Sequence, residues 1–323
     1  MLRLGLCCGF VSEDAPRFRT TTVRYASTLP AAARSNFLHD LADHNLDALS
    51  QAVRFCAERG IQAFRIVSGL LPLYTHPVVG WRLTGSRRGA SLRKKLRAIG
   101  GEARALDVRL SFHPDQFVVL GSTSESAVAN SVAELEYQAE CAELLQAEQL
   151  TVHGGGAAGG KPEALERFKA GLSRLSPRAR SRVVLENDDR VYTVADLLPV
   201  CQAESIPLVY DVHHHRCNPD GLSIAEATRE AALTWQGREP WLHISSPALG
   251  WSNGDPRPHA EYIKPSDVPR EWLGIRATVD VEAKQKELAV LRLQRWLSTR
   301  EPAASGGKTG TSKVTRKQAA ARR

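Results

Sequence analysis

Six short apolar runs in this chain end in an imidazole or a carboxylate. His113 closes RLSFH, His153 closes LTVH, Glu186 stands in RVVLEN, Asp211 follows PLVY, His243 lies in WLHIS and Glu282 closes ATVDVE. Imidazole nitrogens and carboxylate oxygens are the donors that borderline divalent ions such as Zn²⁺ and Mn²⁺ accept. Carboxylates gathered without cations repel one another, so the set makes more sense around metal than bare. A single histidine at a strand end is most often a hydrogen-bonded structural residue. Six separate runs carrying compatible donors point instead to a metal cluster. Two ions about 3.5–4 Å apart and bridged by a carboxylate suit phosphodiester hydrolysis, because they activate water and steady the departing oxygen.

These residues act together only if the fold gathers them. Apolar, β-branched runs at 3–8, 63–67, 109–113, 150–153, 182–187, 207–212, 241–245 and 277–282 predict eight strands. Helical periodicity lies between them, at 41–59, 131–147 and 162–175. Regular alternation argues for a parallel sheet covered by helices, and eight units favour a closed (β/α)₈ barrel, a single α/β domain over 1–300. In such a barrel every strand's C-terminal end opens on one face, where residues distant in sequence converge. No G-x-G-x-x-G follows a strand, and HGGG at 153–156 lacks the P-loop spacing, so a nucleotide-binding fold has little support. His213, His214 and His215 follow Asp211. Along an extended strand they would alternate, and not all three could face the mouth.

The formal net charge of +8 suits a polyanionic partner, since Lys and Arg neutralise phosphates and release counterions. Part of that excess sits in 301–323, a Lys- and Arg-containing segment with no apolar periodicity, read as a disordered basic tail. No apolar stretch approaches the roughly 20 residues that cross a bilayer, and the N-terminal apolar run is too short for a secretory signal. A cytoplasmic, nucleoid-associated protein, acting as a monomer without a membrane partner, is expected. The six cysteines show no CxxC spacing and are expected as free or buried thiols.

Several segments resemble the ultraviolet damage endonucleases, barrel metallonucleases of the endonuclease IV type. They are RLGLCC near the start, FRIVSGLLPLYTHP (64–77), SFHPDQF (111–117), VHGGG (152–156), LENDDR (185–190), DVHHHRCNP (211–219), LHISSP (242–247) and VEAKQKE (281–287). The resemblance implies a DNA repair enzyme that hydrolyses the backbone of damaged double-stranded DNA 5′ to a UV photoproduct or other helix-distorting lesion. It implies two or three divalent ions, Mn²⁺ foremost, with Zn²⁺, Co²⁺ or Mg²⁺ as alternatives. His113, His153 and Glu186 would bind one ion. Glu186 would bridge to a second, completed by Asp211, His243 and Glu282. His214 and His259 would belong to a third site. Glu186, Asp211 and Glu282 carry the catalytic role in this scheme. Gln116 and Phe117 match a pair that probes the duplex at the lesion, where an aromatic wedge costs a few kcal/mol of unstacking, least at a damaged step. Lys264 and Lys284 are candidate phosphate contacts. His76 matches a family histidine near the site, and His215 and Asn218 are expected to support their loop.

The chain departs from the family pattern at Phe117, where relatives usually carry a tyrosine whose hydroxyl is lost here, and at three further positions. Trp241 stands where many relatives carry a lysine whose carbamylated form can ligate metal; an indole cannot, so the third site is in question. Leu6 and Phe10 replace a tyrosine and an asparagine that approach the damaged bases, which leaves lesion preference open. The alternative readings are an apurinic-site endonuclease, a sugar isomerase or epimerase on the same barrel, and a non-catalytic lesion binder.

Overall fold

A computed structural model describes residues 2–300, and the predicted tail segment 301–323 lies outside the described residues. The eight strands are β1 (Leu2–Cys7), β2 (Ala63–Ile66), β3 (Arg109–Phe112), β4 (Gln149–His153), β5 (Val183–Glu186), β6 (Leu208–Asp211), β7 (Trp241–Ile244) and β8 (Ala277–Val281). They pair in chain order and close into a parallel barrel, with β1 joined to β8. Every predicted strand is present within a residue or two of its expected bounds.

Ten helices accompany the strands among the described residues: α1 (Val23–Thr28), α2 (Ala31–Glu58), α3 (Arg87–Ala105), α4 (Glu125–Leu145), α5 (Lys161–Leu172), α6 (Pro177–Arg180), α7 (Val194–Glu204), α8 (Val212–Cys217), α9 (Ile224–Leu233) and α10 (Lys286–Ser298). The helix expected at 41–59 extends back to Ala31, and its buried face includes Leu38, Leu41, Leu46, Leu49 and Val53. The hydroxyl of Ser124 caps the start of α4 by accepting from the Ala127 N–H, which satisfies one of the unpaired donors of the first turn. Thr193 and Asp196 form a reciprocal capping box at α7. No helix among the described residues is long and apolar enough to cross a membrane, and all six cysteines are free.

Side-chain alternation divides each strand between two cores. Leu4, Leu6, Phe64, Leu110, Leu150, Leu185, Leu242 and Val279 belong to the large apolar layer they share with helix residues. The opposite set points into the barrel. Its lower part holds a second cluster of Ala63, Val184, Val209, Trp235 and Trp241, so the barrel is plugged and not a pore. The Arg109 guanidinium lies over the Trp241 ring at 4.2 Å, and Arg109 is anchored by Glu148 at 2.5 Å. Trp241 therefore belongs to the packed floor, two residues below His243 on the same inward side of β7. Leu6 is fully buried, and Phe10 packs against Phe55 and Phe64 with centroids 5.0 and 5.9 Å away. Neither side chain is presented to a substrate, so these two positions contribute packing here.

Candidate metal centre

The inward face that ends in Val184, Val209 and Trp241 at the floor carries Glu186, Asp211 and His243 at the mouth. The same two-residue alternation places them all on one side. Glu186 is fully buried at the centre. Its Oε2 lies 2.9 Å from His113 Nε2 and 3.7 Å from His153 Nε2, while its Oε1 lies 2.9 Å from His243 Nδ1 and 3.4 Å from His214 Nδ1. Glu282, one residue beyond β8, approaches His243 Nδ1 at 3.5 Å and His259 Nδ1 at 3.8 Å. Asp211 Oδ2 lies 3.7 Å from His214 Nδ1, so the eight residues assigned to metal from the sequence are linked around one mouth. Two triads have donor atoms all within 4.8 Å of one another: His113, His153 and Glu186; and Glu186, Asp211 and His214. Glu186 is common to both.

Several of these side chains are held by a second contact that leaves a donor atom free. His113 Nδ1 donates to the Pro114 carbonyl at 3.1 Å, which leaves Nε2 facing Glu186. The Asn187 side chain forms a two-way clasp with the Asp211 backbone, both bonds 2.9 Å. One Asp211 oxygen accepts the His214 N–H at 2.8 Å as the cap of α8, and the other, Oδ2, is buried without a partner. His153 Nδ1 and His243 Nε2 are also buried and unpartnered, but these are the ring nitrogens turned away from Glu186, which leaves Nε2 of His153 and Nδ1 of His243 toward it. A buried carboxylate oxygen without a partner is costly, and Asp211 Oδ2 is such an atom within a triad of donors of the kind divalent ions take. The residues fit the expected metal group.

His214 is positioned by a helical turn. Residues 212–217 do not prolong β6; they turn into α8. Helical geometry brings a residue three positions on back over its origin, so His214 lies beside Asp211 and Glu186. His213, turned the other way, meets the His259 ring edge to face at 5.3 Å. His215 supports the loop as expected, with Nδ1 2.7 Å from the Tyr210 hydroxyl and Nε2 3.2 Å from Asp220. His76 accepts the Val78 and Val79 N–H groups at 3.2 Å and shapes its own turn.

These side chains also balance charge among themselves. Burial alone would raise the Glu186 carboxyl, but His243, His153, His113 and His214 outweigh it and hold it well below the usual range. Burial would likewise raise Glu282, yet Arg65 and His243 hold it far down. Burial lowers His243, but Glu186, Glu282 and Asp280 overcome this and push it up to about 9. His214 is raised for a similar reason, with Asp211 and Glu186 outweighing its burial. His153 goes the other way: burial dominates, with His113 and His214 adding to it. Without metal, imidazolium groups supply the positive charge that the carboxylates require.

Arg65 is a member of the site that sequence reasoning does not single out. Its guanidinium lies 2.5 Å from Glu282. The available signal is parity: Ala63 is in the barrel floor, so Arg65 on the same short strand faces inward as well. A small cavity of about 270 Å³ at the mouth is lined by Arg65, Cys8, His113, His153, Glu186, His214 and Glu282. A larger groove of about 530 Å³ shares His153 and His214 with it and runs along Gln116, Asp188 and Arg190. Phe117, on the loop after β3, is 78% exposed. Gln116, Lys264 and Lys284 are exposed too, on loops that leave the C-terminal ends of β3, β7 and β8.

Comparison with known proteins agrees with this geometry. The family model described as UV-endonuclease UvdE matches residues 2–308. A UV DNA damage endonuclease of Bacillus velezensis is 33% identical over 309 residues, covering 90% of this chain and 93% of the relative. The crystal structure of SacUVDE superposes with a TM-score of 0.82 at 27% identity, over 93% of this chain and 99% of that one. Endonuclease IV from Thermus thermophilus shares the fold, with a TM-score of 0.58 at 17% identity over 92% and 99% of the two chains. The chain belongs to the UvdE family of UV endonucleases.

Proposed function

We propose that this DNA repair endonuclease hydrolyses the phosphodiester 5′ to a UV photoproduct, using divalent ions held by His113, His153, Glu186, Asp211, His214, His243, His259 and Glu282. The observation that carries the reading is the position of Glu186, whose two oxygens each face a different pair of imidazoles. A carboxylate shared in this way is suited to bridge two ions. When bound, such ions lower the pKa of water and stabilise charge on the phosphate and leaving oxygen; Mn²⁺ is the first candidate. Membership of a DNA endonuclease family sets aside the sugar-isomerase alternative.

The chain's own residues supply the rest. His113 presents Nε2 because its other nitrogen is tied to the backbone. Asp211 is held in place by Asn187 and by its capping bond to α8. Arg65 orients Glu282 and offsets its charge. Phe117 is free to enter the duplex at a weakened step, and Gln116 beside it lines the groove that leads from the mouth. Arg190, Lys264 and Lys284 are exposed, and in this reading they contact phosphates outside the catalytic cavity.

Nicking of defined duplexes tests this. An end-labelled duplex with one pyrimidine dimer should be cut on the 5′ side of the lesion, leaving a 3′ hydroxyl. An abasic duplex should be cut more slowly. Equal or faster cutting of the abasic duplex would favour the apurinic reading.

A further inference from the structure

We propose that Asp280 is a positioning residue for the metal ligand His243, acting through the imidazole nitrogen that faces away from the metal. The inference rests on the metal reading of the mouth given above and adds a residue that reading does not include.

Asp280 lies on β8, two residues before Glu282 and on the same inward side. In the barrel register it stands directly opposite His243 on β7, and opposite Gly5 on β1. The carboxylate is fully buried, and neither oxygen has a hydrogen-bond partner. His243 Nε2 is also buried and unpartnered, and it faces Asp280 Oδ2 at 3.6 Å. The other nitrogen, Nδ1, points to Glu186 and Glu282, where metal would sit. A shift of a few tenths of an ångström completes an Nε2–H···Oδ2 bond. That bond puts the proton on Nε2 and leaves the Nδ1 lone pair for the ion. Histidines that ligate metal almost always donate their other N–H in this manner, commonly to a carboxylate.

The neighbouring strand is shaped around this carboxylate. A Cβ at Gly5 would fall 2.1 Å from Asp280 Oδ1, so any side chain there displaces it. A buried carboxylate without a hydrogen bond is costly to the fold, and a carboxylate that fixes the orientation and basicity of a ligand gives that cost a function.

The test uses the full chain, stripped with chelator and titrated with Mn²⁺ alone while free Mn²⁺ is followed by electron paramagnetic resonance. Asp280→Leu is expected to weaken one class of Mn²⁺ sites by about 10–100-fold. Asp280→Asn, which keeps the shape and one acceptor oxygen, should fall between it and the unaltered chain. Gly5→Ala should weaken the same class and add nothing further when combined with Asp280→Leu, because both act on one bond. Melting curves of the chelated proteins establish that each variant is folded. If folded Asp280→Asn and Asp280→Leu take up Mn²⁺ with unaltered affinity and stoichiometry, Asp280 has no such role, while the metal reading stands. If the unaltered chain takes up no Mn²⁺, both fall together.

Discussion

Glu186 Oε1 and His243 Nδ1 lie 2.9 Å apart, although they sit on different strands 57 positions apart in the chain. The contact exists because β5 and β7 end at the same level of a closed barrel and both residues take the inward side of the alternation. It places a shared carboxylate between imidazoles from β3, β4 and β7 and from the helical turn after β6.

Replacing that carboxylate tests the bridging role. Glu186→Gln keeps the volume but removes the charge two ions would share. Nicking of UV-irradiated plasmid should fall by more than the 10–100-fold typical of losing a group that merely supports a ligand. Binding of a lesion duplex in a gel-shift assay should change little. A variant that still nicks at the native rate contradicts the assignment.

Phe117→Ala addresses the duplex-probing loop. The side chain is exposed, so folding stability should stay within about 0.5 kcal/mol of the native value. Binding to a lesion duplex should weaken by about 1–3 kcal/mol, the usual worth of an aromatic–base stack. Fluorescence anisotropy with damaged and undamaged duplexes measures the binding loss, and denaturant unfolding the stability. An equal loss on the two duplexes would argue against a lesion-specific wedge.

Protonation gives the metal-free protein a definite pH profile. His243 is raised to about 9 in the folded chain, against about 6.5 for an unfolded histidine. A raised folded value means the contribution to stability is full below about pH 6.5 and is lost as pH climbs through about 9. In chelator, the melting temperature should therefore decline over that interval. Mn²⁺ must displace the same proton, so its affinity should rise over the same interval, by up to about tenfold per pH unit. Calorimetry at several pH values reads both; a melting temperature that rises from pH 6.5 to 9 would count against the charged His243.

Much of this site can be read from residue types alone. His113, His153, Glu186, Asp211, His243 and Glu282 each terminate a run whose composition marks it as a strand, and strand ends in a parallel barrel share one face. The contact of His214 with Asp211 and Glu186 is less legible, because the run DVHHHRCNP gives no strong sign that β6 stops at Asp211; only the helical turn of α8 shows which histidine folds back. Arg65 is hidden because a guanidinium within an apolar strand reads as a solvated edge until closure of the barrel puts it inside. Asp280 is legible in principle, since the alternation in VDVE places it with Glu282, but its contact with His243 depends on inter-strand register that one sequence does not encode. Trp241 reads in the sequence as a lost ligand, and the structure adds its positive role as floor of the barrel.

That floor carries its own expectation. Trp241→Ala removes a fully buried indole stacked under Arg109 and should cost about 3–5 kcal/mol of folding free energy. Denaturant unfolding of the chelated protein measures it. A loss below about 1 kcal/mol would show that the floor is not packed as described.

The most direct test of the account is nicking of UV-irradiated supercoiled plasmid by chelator-stripped enzyme, before and after Mn²⁺ is restored. If the ions do the chemistry, no plasmid converts to open circles without metal, conversion recovers on adding Mn²⁺, and unirradiated plasmid is not comparably nicked. Undiminished nicking by enzyme shown by elemental analysis to be free of divalent ions would contradict it.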